Sequence, residues 1–160
     1  MLQETKSSNS NMDSLMSRLW RGNQSISLES SGASGGLTIS WNLTKVELDH
    51  FPASWHSIYA LFHPIGTNIH GLLTNVYGPQ LPDQNSSFLH FLQWLLLDPP
   101  HPMDIIGGDF NLITSLQDKR GGRQLLSEED KLFKRFIDNN NLVNFNTNNG
   151  THSWNNHRGH

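Results

Sequence analysis

Apolar positions fall in three different rhythms along this chain, and each rhythm predicts a different kind of element. In "NMDSLMSRLW", Met12, Leu15, Met16 and Leu19 recur at i, i+3, i+4 and i+7, the spacing that gathers side chains on one face of a short helix. Gly22 is the expected stop. In "LTISWN" the period shortens to two: Leu37, Ile39 and Trp41 alternate with Thr38, Ser40 and Asn42, as in a strand with one buried face. The Ser/Gly stretch before it, "SSGASGG", reads as a turn. "SIYALFH" and "IHGLLTNVYGP" predict two further strands, joined through "PIGTN" as a hairpin. Pro79 and Pro82 end the second of these, because proline has no N–H to give to a ladder.

The third rhythm is a continuous apolar run. "NSSFLHFLQWLLLD" is too long for a typical strand, and Phe88, Leu89, Phe91, Leu92, Leu95 and Leu96 cover a broad helical face, which predicts a buried helix. "MDIIGGDFNLI" is shorter and bounded by turn residues, which predicts a strand buried on both faces. A glycine-containing loop, "DKRGGR", leads to "LSEEDKLFKRFIDNN". There Ser127 caps the first turn, Asp130 completes a capping box, and Leu132, Phe133, Phe136 and Ile137 form one apolar stripe. Half of the positions from Asn139 to Asn156 are Asn, which competes for backbone hydrogen bonds and disfavours helix, so that region reads as loop. No repeat and no linker composition marks a boundary. The pattern predicts one domain, residues 1–160, of α/β class in mixed order, with helices packed outside sheets.

Composition narrows the chemistry. Charged residues are only 16% of the chain, and 11 Lys and Arg against 14 Asp and Glu give a net charge of −3. The field of the whole chain therefore does not favour an anionic polymer, and any nucleic-acid contact must be local or metal-assisted. The absence of cysteine removes disulfide scaffolds, zinc fingers and thiol nucleophiles. No window approaches the ~18 apolar residues of a membrane span, and "MLQETKSSNS" lacks a secretory pattern. The expectation is a soluble, non-secreted chain that uses no membrane and no evident small-molecule cofactor.

Three stretches carry candidate chemistry, each at the end of a predicted strand. In "IIGGDFNLI", Asp109 and Asn111 stand two apart, which in an extended chain puts them on one side while Phe110 points into the core. A carboxylate beside a carboxamide suits phosphoryl chemistry, with Asp taking the proton from an attacking water and Asn donating to a phosphoryl oxygen. The same pair also fits an ordinary strand-ending Asp-Asn turn. Glu4 in "LQETK" offers the hard oxygen that Mg²⁺ selects. Tyr77 in "NVYGP" offers a phenol at the end of its strand.

"LQETK", "NVYGP" and "GGDFN", in that order, resemble the endonuclease/exonuclease/phosphatase superfamily that includes deoxyribonuclease I and the apurinic endonucleases. The chain is most similar to the endonuclease domain of a plant LINE-type non-LTR retrotransposon, upstream of its reverse transcriptase, through "SGASGGLTISWN", "GGDFNLI" with its "DKRGG" loop, and "THSWNNHR". The resemblance implies a four-layer α/β/β/α sandwich and a Mg²⁺-dependent DNA endonuclease, with Mn²⁺ as an alternative ion and a nuclear setting. It makes Glu4 the metal ligand, Tyr77 a phosphate-contacting group, Asp109 the residue that orients or deprotonates water, and Asn111 a stabiliser of the pentacovalent state. Ser153 stands where the family prefers Thr before Trp154, so a hydroxyl is kept. The family's "WNxRGL"-like opening and its later "RLDR"-like strand and Asp-His pair have no counterpart in the chain. From that the resemblance implies an incomplete sandwich, exposed ladder edges, marginal stability, and very weak or no activity of this polypeptide by itself. A phosphoinositide or phospholipid phosphatase of the same superfamily, and a non-catalytic relic, are the competing readings.

Two other patterns point elsewhere. "GASGG", from Gly32 to Gly36, fits a hydrolase nucleophile elbow around Ser34, but that motif must follow a strand and open a helix, whereas here a strand comes after it. His152, His157 and His160 match no tetrahedral ligand spacing and read as solvated histidines.

Overall fold

The computed structural model describes residues 1–31, 34–54, 57–97, 101–118 and 125–145. The chain divides into two compact units, Met1–Asn111 and Leu112–His160. In the first unit the order is β1 (Leu2–Gln3), α1 (Asn9–Leu19), β2 (Asn23–Ser31), β3 (Ser34–Asn42), β4 (Val46–Ser54), β5 (Ser57–Pro64), β6 (Gly71–Tyr77), α2 (Pro82–Leu97) and β7 (Asp104–Asp109). The second unit holds a short 3-10 turn, Leu116–Asp118, and α3 (Glu128–Asn139).

The strands of the first unit form two sheets, one ordered β1-β3-β2 and the other β4-β5-β6-β7. All neighbours are antiparallel except β6 and β7, which run parallel with Tyr77 opposite Asp109. The period of two predicted for Leu37, Ile39 and Trp41 places all three on the inner face of β3. They pack with Ile58 and Tyr77 of the other sheet, with Ile26, Leu28, Val46, Leu48 and Leu73 around them. The opposite face of β5 presents Tyr59 to Phe91 of α2, ring centroids 6.3 Å apart. Helix α1 lies against β2, burying Met12 and Met16 and bonding Asp13 to the Ser25 hydroxyl. The first unit is thus layered α/β/β/α, and β5 and β6 bury residues on both faces through their pleat.

Predicted helices and hairpin occur as elements with small differences. Helix α1 buries only two of its four predicted positions, and Leu15 and Leu19 stay exposed. Helix α2 starts earlier, at Pro82, whose missing N–H costs nothing in a first turn. Helix α3 carries the reciprocal capping box, Asp130 N–H donating to the Ser127 hydroxyl and Ser127 N–H to the Asp130 carboxylate, and buries Phe133 and Phe136.

Two strands, β2 and β4, carried no periodic signal strong enough to predict. In "NQSISLESS" only Ile26 and Leu28 are apolar, and the strand is held by polar cross-strand bonds such as Ser27 to Thr38, 2.9 Å. Strand β4 contains Pro52 and a register shift between Phe51 and Ser54, both tolerable because it is an edge. The prediction for β7 needs correction. It is the outer strand of its sheet among the described residues, with Ile105 38% exposed and Gly108 and Asp109 exposed, so it is not buried on both faces. A short apolar run does not distinguish a central strand from an edge strand that has one apolar face.

Asp104, which opens β7, has a buried Oδ1 without a hydrogen-bond partner. Burial raises its carboxyl above the usual carboxylate range, while His101 and the Leu72 backbone pull it back. A folded-state pKa above the unfolded one means that Asp104 favours folding fully only below the unfolded pKa, and this contribution is lost as pH rises through the folded value. Asp104→Asn is therefore expected to raise Tm at neutral pH, and thermal unfolding below pH ~4 should show that gain gone. An equal gain at both pH values would contradict this account of Asp104.

Candidate active site

Strand β1 is two residues long, and immediately after it the chain enters a tight turn. Glu4 and Lys6 both take left-handed backbone conformations, φ +50° and +48°. Such angles cost a non-glycine residue about 1–2 kcal/mol and persist only where surrounding contacts over-determine them. Those contacts are present. Thr5 N–H donates to the Gly36 carbonyl at 3.2 Å, and a Cβ on Gly36 would collide with the Thr5 side chain. Gly36 thus gives passage to the Glu4 turn. Ser34 opens strand β3, so the nucleophile-elbow geometry is absent.

Glu4 meets Tyr77 directly. The Tyr77 hydroxyl donates to Glu4 Oε1 at 2.6 Å and accepts from Gln80 Nε2 at 2.8 Å. Tyr77 is 5% exposed. Burial raises its phenol above the ordinary value, the Glu4 hydrogen bond and the charges of Glu4 and Asp109 add to this, and the Gln80 bond opposes it. The phenol therefore stays protonated at neutral pH and acts as a donor.

Asp109 and Asn111 are brought together differently from the extended-chain expectation. Strand β7 ends at Asp109, and Asn111 has φ +53°, so the two do not alternate along a strand. Instead Asn111 N–H donates to Asp109 Oδ1 at 2.9 Å, an Asx turn of the kind the sequence also allowed. Phe110 anchors the turn against Phe88 of α2, centroids 6.5 Å apart. The Asn111 amide donates to the Gly78 carbonyl at 2.7 Å, and Gly78 N–H donates to the Asp109 carbonyl at 2.6 Å. A Cβ on Gly78 would run into the backbone of Phe110, so this crossing needs glycine.

The fold therefore gathers Glu4, Tyr77, Asp109 and Asn111 around the C-terminal ends of β6 and β7. Glu4, Asp109 and Asn111 face solvent over the buried phenol. Sequence reasoning missed Gln80, Gly36, Gly78 and Asn75. Asn75 left a readable trace as an amide inside the apolar strand "GLLTNVY". Residues 119–124 of the basic loop and its surroundings, His152, Ser153, Trp154, His157 and His160 lie outside the described residues. Among the described residues no three His, Cys, Asp or Glu side chains gather as a cation cage. The donor set at the site is two hard carboxylates, one oxygen of each already held by Tyr77 or Asn111. That fits Mg²⁺, which keeps most of its waters and takes one or two carboxylates.

The chain matches no protein-family model and no curated protein. Among solved structures it is similar to the human Nocturnin catalytic domain with bound sulfate anion, at 18% identity and TM-score 0.46 over 69% of this chain and 49% of that one. It is also similar to an endonuclease/exonuclease/phosphatase family protein from Bacteroides thetaiotaomicron, at 15% identity and TM-score 0.47 over 66% of this chain and 46% of that one. The chain spans about half the length of these structures.

Tyr77→Phe keeps the buried ring and removes both hydroxyl hydrogen bonds. Water can replace the donor lost to exposed Glu4, so the expected loss is about 1 kcal/mol in urea unfolding. Unchanged or increased stability would show that the Glu4–Tyr77–Gln80 chain does not hold the turn.

Proposed function

We propose that this chain carries the phosphodiester-cleaving site of an endonuclease/exonuclease/phosphatase-type hydrolase, acting on DNA with Mg²⁺ in the manner of a LINE-type retrotransposon endonuclease. The observation that carries this reading is the joining of three strand ends by one buried phenol. Tyr77 binds Glu4, stands opposite Asp109 in the parallel ladder, and is followed by the residue whose carbonyl fixes Asn111.

In this reading Glu4 would hold the ion through the carboxylate oxygen that Tyr77 leaves open. When bound, Mg²⁺ supplies Lewis-acid stabilisation of the phosphoryl oxygens. Asp109, with Oδ1 fixed by the Asn111 amide, presents Oδ2 to take the proton of an attacking water. The Asn111 carboxamide, anchored by its bond to the Gly78 carbonyl, has a second N–H available as a donor to the developing charge on a phosphorus-bound oxygen. Tyr77, held protonated, donates to Glu4 Oε1 and so fixes the orientation of that carboxylate. The exposure of Glu4, Asp109 and Asn111 suits a polymer backbone lying across the site better than a small enclosed substrate. Two acidic side chains in a chain of net charge −3 also make a cation necessary before a phosphate can approach.

Supercoiled-plasmid nicking tests the proposal. The expected result is weak nicking that requires Mg²⁺, stops with EDTA, falls to background in Asp109→Ala and Glu4→Gln, and is unchanged in Glu129→Gln on α3. Nicking that survives EDTA or Asp109→Ala, or phosphate release from a phosphoinositide in place of nicking, would contradict it.

A further inference from the structure

The geometry points to Asn75 as the positioning residue of the Glu4 site, a reading that rests on the function proposed above. Asn75 is fully buried at 0% exposure in the middle of β6. Its side chain crosses from one sheet to the other. Nδ2 donates to the carbonyl of Leu2 at 3.0 Å and to that of Thr38 at 3.1 Å, and Oδ1 accepts from Gln3 Nε2 at 2.6 Å. Both amide hydrogens and the carbonyl oxygen are thus used, and each bond reaches β1 or the strand next to it.

Strand β1 needs this support. It has only two ladder pairs, Leu2 with Thr38 and Gln3 with Leu37. Two pairs give too little cooperativity to fix a strand end by themselves. Asn75 and Tyr77 sit two apart on the same face of β6, so their bonds run in step with the partner segment: 75 to residues 2 and 3, 77 to residue 4. Glu4 therefore reaches Tyr77 because Asn75 has set the register one step earlier. The left-handed turn at Glu4 and Lys6 is what this restraint must hold in place. An apolar side chain at 75 would fill the space and leave the Leu2 and Thr38 carbonyls and the Gln3 amide to find other partners.

The test uses the whole chain and two readouts: hydrogen exchange at the Thr5 amide, which reports the turn, and Mn²⁺ affinity by electron paramagnetic resonance, which reports the Glu4 site. Asn75→Ala and the milder Gln3→Ala, which leaves the core packed, are each expected to speed Thr5 exchange tenfold or more and to weaken Mn²⁺ binding about tenfold. Leu92→Ala on α2, with an equal or larger loss of Tm, is expected to change neither. The assignment is overturned if Gln3→Ala leaves both readouts at wild-type values, or if Leu92→Ala moves them as far as Asn75→Ala does. A Glu4→Gln arm separates the two levels. Mn²⁺ binding that ignores Glu4→Gln refutes the metal reading, while Thr5 exchange still decides the role of Asn75.

Discussion

A single buried carboxamide ties the two sheets of the first unit into one frame. Sheet faces of this kind are held together mostly by side-chain area, which is strong but non-directional: apolar contacts between Leu37, Ile39, Ile58 and Leu73 resist a small slide only weakly. Asn75 does not permit that slide. An amide left unsatisfied in such a place costs about 1–3 kcal/mol, which favours the arrangement in which Leu2, Gln3 and Thr38 all meet it. Packing thus supplies most of the stabilisation, and the polar contact selects which packed arrangement occurs.

Local strain is concentrated where that frame ends. Of the four non-glycine residues with positive φ among the described residues, Glu4 and Asn111 are candidate site residues and Lys6 lies in the same turn as Glu4. Each departure is matched by a glycine that lets another backbone come close: Gly36 beside Thr5, and Gly78 beside Phe110. Strain at a site is expected when side chains must be presented in directions that regular strands do not offer. Here it turns Glu4 toward the phenol of Tyr77 and folds Asn111 back over Asp109. The charges of Glu4 and Asp109 both act on the one buried hydroxyl and help to hold it protonated.

How much of this was legible in the sequence follows from the physics of each signal. Period-two and helical patterns reported burial on one face, so β3, β5, β6, α2 and α3 were readable wherever apolar residues marked that face. Strand β2 was not, because Ser and Asn bond across it in place of apolar packing. The edge position of β7 was invisible, since composition records a residue's preference and not the number of its neighbours. The site was read from motif order, and the structure brings Glu4 to Tyr77 and Tyr77 to Asp109. The extended-chain argument for Asp109 and Asn111 reached a correct proximity through an incorrect backbone. Asn75 and Gly36 act over separations of dozens of residues, and no local window carries that information.

The central claim is that Glu4, Tyr77, Asp109 and Asn111 form one cation-dependent phosphate site. Anomalous diffraction from crystals of the chain soaked in Mn²⁺ tests it most directly. The account predicts a peak within bonding distance of a Glu4 carboxylate oxygen, on the side where Asp109 and Asn111 face solvent. A peak elsewhere, or Glu4 turned away from Tyr77 with no peak at all, would contradict it.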